Sequence, residues 1–375
     1  MHQQVRNFLL QLIFCQGVRS LLAAIAGWLL AGPAMVSAQP TVSPPAKTSP
    51  RPEAVVYEAG LKGFGDPAYQ RAVEALFTTF EENTGRSLDP GEKGRVGLKV
   101  YTNSGAGIAT PKSLVRAVVA ALVRRGFDRA DLFILDLDER TLRAAGYMPP
   151  ISRGGARFEG VPVYALSTGD YYDPVWFYDS PLPPRNPSPD WQRYGLTSDL
   201  AADPDAASMT SDDRKSLLPV PLLLETDFWI NLPMALDNRA FGISGALANP
   251  TLWAISNHER FFVNPATAQA AAVEIAAIPE LQETWAFTLM TLERFQFIGG
   301  PVFRSLYTKS EPVLWLSPDP VLLDALMVRK INVARRLAGF REISETLPLF
   351  EFAETLNLGT SEPGEGIFVP VSTDP

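Results

Sequence analysis

Cysteine and histidine are nearly absent from this chain. It carries one cysteine, Cys15, and two histidines, His2 and His258. Two of these three residues fall in the first 38, a stretch that reads as a signal peptide. Arg6 and Arg19 accompany an apolar run over 21–32, and the small residues Val36, Ser37 and Ala38 follow it. Cleavage is expected after Ala38, with export to the periplasm or the extracellular space. An uncleaved anchor is the competing reading, but the run is shorter than the roughly 20 apolar residues that span a bilayer. After cleavage no membrane span is expected. The remaining chain then has no cysteine and only His258. That excludes a disulfide, a thiolate nucleophile, a cysteine-ligated iron–sulfur cluster and a multi-histidine zinc site. Any metal would be a hard cation held by oxygen, such as Mg²⁺ or Ca²⁺.

Clustered positive charge is the second absence. The 375 residues have a net charge of −8, and losing Arg6 and Arg19 with the signal leaves about −10. No basic stripe is present, so a nucleic-acid partner is not expected. The hydrophobic content of 46% is enough for a sizeable core.

What the sequence does contain is alternation. Residues 39–54 are rich in proline, serine and threonine and predict an extended linker. A helix should follow with Asp66 as its N-cap and Pro67 at its first position, burying Tyr69, Val73, Leu76, Phe77 and Phe80. "RVGLKVYTN" predicts a strand, "PKSLVRAVVAALVRRG" a helix, "ADLFILD" a strand and "DERTLRAAG" a short helix. "DFWINLP", "WAFTLMTL" and "PVLWLS" predict further strands, and helices are expected over 265–277 and 319–339. Strand–helix alternation at these lengths implies parallel βαβ units. The fold class expected is α/β: a mostly parallel, Rossmann-like central sheet with helices on both faces. One domain should cover 55–345, with a long aromatic-rich insertion over about 152–216. Residues 346–375 should form a C-terminal extension, and 360–375 a loose tail.

These runs resemble the family catalogued as domain of unknown function 362. The likeness spans about 96–340 and is carried by "VGLKVYTN", "ADLFILDLDERTLRAAGY", "INLPMALDNRAFGISGALAN", "FIGGPVF" and "LSPDPVLLDAL". Lys99 and Asp136 stand at the family's polar positions. Within 232–249 the resemblance implies a Lys, an Asp-His pair and a Lys-Asn pair. This chain has Leu236, Asp237–Asn238 and Ala248–Asn249 there. Thr291 stands where the family often has an Asp. Lys and His move protons or hold anions near neutral pH, and Leu and Ala do neither. The turn is kept while the titratable groups are thinned. A nickel-pincer lactate racemase site is similar at its glycine turn, but the His and Lys flanking it are missing here. The family's activity is not established, and the cluster segment some relatives carry would need cysteines this chain lacks.

In a doubly wound sheet, ligands bind beyond the carboxyl ends of strands. Lys99, Asn103, Asp136, Asp237, Asn238, Arg239, Ser244, Asn249 and Asp319 are therefore the ligand-binding candidates, in one convergent crevice. Asp136, Asp237 and Asp319 are the candidates for a hard cation. Bland readings compete at each. "NSGAGIA" could cradle an anion with Thr110 capping the next helix, or be an ordinary turn. Asp319 in "SPDP" suits an N-cap. Asp324 could face solvent or form a salt bridge. His258 suits a structural role better than catalysis. Arg239 and Arg294 could bind an anion or form surface ion pairs.

Three functions follow. The first is a ligand-binding or structural derivative of the family with reduced catalytic capacity. The second is a hard-cation enzyme acting on a small anionic substrate. The third is a carbohydrate-binding module using the aromatics at 171–178, which more simply pin a long loop to the body.

Overall fold

In the computed structural model of the protein, residues 51–151, 155–180, 214–262 and 265–373 are described. The expected signal peptide, most of the linker and much of the expected insertion lie outside these residues.

The elements in chain order are β1 (Val55–Gly60), α1 (Asp66–Thr84), β2 (Val96–Val100), α2 (Lys112–Arg124), β3 (Leu132–Asp136) and α3 (Glu139–Ala145). There follow β4 (Arg157–Phe158), β5 (Val161–Ala165), β6 (Tyr172–Asp179), β7 (Lys215–Pro219), α4 (Val220–Leu224), β8 (Phe228–Leu232), β9 (Leu236–Asn238) and β10 (Gly242–Ser244). Then come α5 (Pro265–Ala276), α6 (Pro279–Thr284), β11 (Trp285–Thr291), β12 (Phe295–Gln296), β13 (Thr308–Lys309), β14 (Val313–Ser317), α7 (Pro320–Leu337), α8 (Pro348–Thr355) and β15 (Ile367–Val371).

Nine strands form the central sheet in the order β15-β1-β14-β11-β8-β2-β3-β5-β4. Its middle, β11-β8-β2-β3-β5, is parallel throughout, and antiparallel pairs occur only to either side of it. The fold is α/β, as the alternation implies. β2, β3 and β8 are buried along their whole length, which is why they read as continuous apolar runs.

Side chains alternate across each strand and feed two cores. Leu98, Ile134, Ile230 and Phe287 pack under α1 and α2 with Val73, Leu76, Phe77, Leu114, Val118 and Leu122. Phe133, Leu135, Trp229 and Met290 face the other way, toward α5 and α7 with Ala272, Leu323, Val328 and Ile331. Helices thus cover both faces. No described helix is long and apolar enough to cross a membrane.

Four local expectations need correcting. The residues of 152–216 are not all insertion. β5 pairs in parallel with β3 and extends the central sheet, while β6 and β7 pair antiparallel in a separate two-stranded sheet. The end of the chain is not a loose tail, because β15 pairs in parallel with β1 from Val55↔Ile367 to Ala59↔Val371. Gly65, not Asp66, is the N-cap of α1, and no side chain caps that helix. Thr110 does not cap α2. Its hydroxyl accepts from Tyr101 N and donates to Leu232 O, stitching β2 to β8.

A second, smaller sheet runs β10-β9-β12-β13. It carries the first part of the glycine-turn stretch away from the central sheet.

Candidate functional site

The carboxyl ends of the central strands hold a row of polar side chains in register. Lys99 on β2 pairs with Asn231 on β8, Asn231 with Thr288 on β11, and Thr288 with Ser317 on β14. All four have at most 1% exposure. An ammonium has three protons to place, and burying it is costly unless all are taken. Lys99 Nζ donates to Asp136 Oδ1 at 2.6 Å, Val100 O at 2.8 Å and Asn249 Oδ1 at 3.0 Å. Burial lowers the Lys99 pKa, against the opposing pull of Asp136. Asp136 also accepts from Thr102 N, Thr102 Oγ1 and Leu137 N. Asn249 donates to Asn231 Oδ1, and Asn231 donates to Ala246 O and Thr288 Oγ1.

Lys99, Asp136 and Asn249 therefore do converge, with Asn103 Nδ2 at 3.5 Å from the Asp136 carboxylate. The expected open crevice is the part that fails. Lys99, Asp136 and Asn249 are completely buried, and every ammonium proton has a partner. The cluster is a sealed seam joining β3, β2, β8 and β11.

The other carboxylates sit elsewhere. Asp237, on β9, accepts from Gly299 N and Gly300 N and meets Arg335 Nη2 at 3.3 Å. Burial raises its pKa, and these hydrogen bonds oppose the rise. Asp319 is the N-cap of α7, as "SPDP" suggested, taking Leu322 N on one oxygen and Thr360 N on the other. Burial pushes its pKa up to about 6. Asp136, Asp237 and Asp319 thus occupy three separate cradles and do not form the shared cation site. Among the described residues no three His, Cys, Asp or Glu side chains are placed to hold a metal ion.

Asp324 faces neither solvent nor a cation. It is buried and accepts from Ala246 N at 2.6 Å and Leu247 N at 3.0 Å, so α7 grips the glycine-turn stretch directly. Burial pushes its pKa up to about 7. Ser244 Oγ accepts from Trp253 Nε1 within the same joint. His258 packs against Trp253 and Phe262, where burial lowers its pKa. Arg294 donates to Gly107 O beside the Phe303 ring.

The aromatic segment is pinned down. Tyr171 stacks on Tyr164 with centroids 4.5 Å apart, Tyr172 donates to Ala254 O, and Tyr178 donates to Glu274. Phe177 lies under the Lys215 ammonium. These contacts suit anchoring of the antiparallel β6–β7 pair.

An open cleft of about 720 Å³ lies beside the glycine-turn stretch. Asn238, Arg239 and Gly242 form one wall, the first turns of α5 with Gln269 a second, and Arg341, Leu347 and Pro348 a third. Gly242 is needed twice over. Its φ is +93°, and a Cβ there would lie 3.3 Å from Leu347 Cδ2 and 3.5 Å from Gln269 Nε2.

Two buried amides in this cleft are half-satisfied. Asn238 Oδ1 accepts from Ala240 N at 2.8 Å, which orients the amide and leaves Nδ2 without a partner. Gln269 Nε2 donates to Phe241 O at 2.8 Å, leaving Oε1 without one. Both residues are under 5% exposed. A buried polar group left unpaired costs about 1–3 kcal/mol, and both atoms are closed to solvent, out of reach of anything lying in the cleft. The exposed guanidinium groups of Arg239 and Arg341 have no ion-pair or hydrogen-bond partner among the described residues. Glu342, also on the wall, is held by Arg336.

Of the ligand-binding candidates, Asn238 and Arg239 reach this cleft. Gln269 and Arg341 were missed. Gln269 had a faint signal, as one of two polar residues, with Glu274, in the otherwise apolar run "AQAAAVEIAA". Arg341 had none, because its place is set by Arg335, whose guanidinium holds Arg341 O, Phe297 O and the Asp237 carboxylate together.

No family model matches the sequence, and no curated protein does. One similar solved structure is a structural-genomics protein from Thermotoga maritima, at 13% identity and a TM-score of 0.34. The match covers 73% of this chain and 60% of that one, and a likeness so distant carries no functional argument.

Proposed function

We propose that the protein is an exported small-molecule-binding α/β protein, derived from a family like the domain of unknown function 362 with reduced catalytic capacity. The ligand lies in the cleft between the β9–β10 hairpin, α5 and the chain leading into α8. The observation that carries this reading is the cleft itself, where the guanidinium groups of Arg239 and Arg341 stand exposed with no partner among the described residues. The reduced capacity is supported by the lining. Its ionisable groups are Arg239, Arg341 and the ion-paired Glu342, none of which is poised to shuttle protons near neutral pH. A hard-cation enzyme has less support, since its three carboxylates lie in separate cradles.

The test is a thermal-shift screen of small metabolites, run with and without Mg²⁺ and Ca²⁺, on the wild type and on Ala266→Trp. Ala266 is an exposed residue of the cleft wall, so the indole fills the mouth without disturbing the core. A true ligand at 100 times its Kd stabilises the wild type by about 2.7 kcal/mol and leaves Ala266→Trp unshifted. Ligands that shift both proteins equally would place binding elsewhere and overturn the reading.

A further inference from the structure

One end of the molecule carries exposed apolar side chains and positive charge together. Residues 294–341 hold eight lysines and arginines against three acidic residues, two of which, Asp319 and Asp324, are buried. The protein as a whole has a net charge of −8, so this is a local reversal of sign. The same segment holds five of the twelve large apolar side chains exposed among the described residues: Val302, Leu306, Val333, Leu337 and Phe340. Leu306 is 79% exposed and Leu337 81%, so both stand clear of the surface. We propose that this face docks on an anionic lipid surface, its apolar side chains entering the interface and its cations meeting the phosphates.

The fold gathers these residues from two elements. Phe340, just past the end of α7, meets the Tyr307 ring edge-on with centroids 5.6 Å apart, and both rings touch Phe297. Arg335 Nε holds Phe297 O in the same joint. Tyr307 and Phe340 thereby join the β12–β13 connection, which carries Val302 and Leu306, to the last turns of α7. On α7 itself Ile331, Asn332 and Ala334 are buried, while Arg329, Val333, Arg336 and Leu337 are exposed at helical spacing. A helix face turned only to water is polar. This one mixes arginine with aliphatic side chains, and a contiguous apolar patch of this kind marks an interaction surface.

Charge decides the occupant. Arg335 holds Asp237, Arg336 holds Glu342, Arg329 lies 3.6 Å from Glu345, Lys330 holds Glu311 and Arg294 donates to Gly107 O. Arg304, Lys309 and Arg341 are exposed and have no ion-pair partner among the described residues. They flank the apolar groups, Arg304 and Lys309 on either side of Leu306 and Arg341 next to Phe340. A second copy bringing the same face across a two-fold axis would set these cations against each other. A bilayer with anionic headgroups takes the cations at phosphate depth and the Leu and Phe side chains at the acyl boundary. An acidic protein would have to offer a formed pocket for each protruding side chain, and a lipid layer receives them without one. The export proposed above would bring the chain to such a surface.

The test is vesicle flotation with the chain from Gln39 onward, which lacks the apolar run over 21–32. Vesicles of phosphatidylcholine alone are compared with vesicles that also contain phosphatidylglycerol. Binding should require phosphatidylglycerol and should fall as salt is added. Leu306→Ser combined with Leu337→Ser should weaken it at least about tenfold, and Arg304→Gln combined with Lys309→Gln by a similar factor. All four positions are exposed, so the melting curves of these proteins should match the wild type. Ile151→Ser, at an exposed apolar residue outside the patch, should leave binding unchanged. Ala266→Trp should do likewise, which separates docking from occupation of the cleft. No binding to phosphatidylglycerol vesicles, equal binding to both vesicle types, or binding that survives the paired leucine changes would each overturn the proposal. A dimer in sedimentation equilibrium that the paired leucine changes dissociate, without vesicle binding, would give the face to a second copy instead.

Discussion

The Asp324 carboxylate rests directly on Gly245, so close that a Cβ there would stand 2.1 Å from Oδ1. The contact joins two stretches that looked independent, the glycine turn over 232–249 and the start of α7. It explains why the turn tolerates no side chain at this point. The carboxylate must reach past Gly245 to the N–H groups of Ala246 and Leu247.

Gly245→Ala should therefore destabilise the fold, by about 1–3 kcal/mol for overpacking, with further loss if the two hydrogen bonds break. Urea denaturation measures this. An unchanged midpoint would show that α7 can retreat freely.

Asp324 and Asp319 should give stability a distinctive pH dependence. Their folded pKa values, about 7 and about 6, lie above the unfolded carboxylate value of about 3.9. Each group thus adds stability that is complete below pH ~4 and is lost as pH rises through its folded pKa. His258 works in the opposite sense, because its folded pKa is lowered: its contribution is lost as pH falls. The clean measurement compares wild type with Asp324→Asn. The deficit of the variant should be largest near pH 4 and shrink toward pH 8. A deficit that grows with pH would mean the carboxylate is stabilised as the anion.

The sealed seam should behave as structure. Lys99→Met leaves Asp136 buried without its cation and should cost about 3–5 kcal/mol. The double change Lys99→Met with Asp136→Leu should recover part of that loss, since replacing a buried pair by apolar groups is often neutral. Ligand binding in the cleft should be unaffected in any variant that folds. A loss of binding would connect the two regions.

Residues 361–375 should prove necessary for full stability. Their removal strips β15 from β1 and bares the β1 edge. The truncated protein should melt several degrees lower and associate more readily through the exposed strand. Equal melting curves would return this segment to the status of a tail.

Much of the architecture was legible in the residues. The apolar faces of α1 and α2 carried the helical spacing, and β2, β3 and β8 stood out as uninterrupted apolar runs. Asp319 announced its cap because Pro320 follows it. The misreadings of β15 and β5 share one cause. β15 contains exposed residues and a proline and has no strand pattern of its own; its order comes from pairing with β1, some 300 residues earlier. β5 was hidden in a proline-rich stretch because it pairs with β3.

Sequence alone determined the chemistry that is unavailable after residue 38, since a missing cysteine or histidine is missing in any fold. It also determined the helices and buried strands whose pattern is local. Tertiary structure decided which polar groups are spent and which are free. Lys99 is spent because Asn249 arrives from 150 residues away. The buried Gln269 Oε1 is left unpaired because the amide nitrogen is held by Phe241, 28 residues back. Hydrogen-bond partners so far apart leave no periodic trace in the chain, so only the packed molecule shows where unsatisfied chemistry remains.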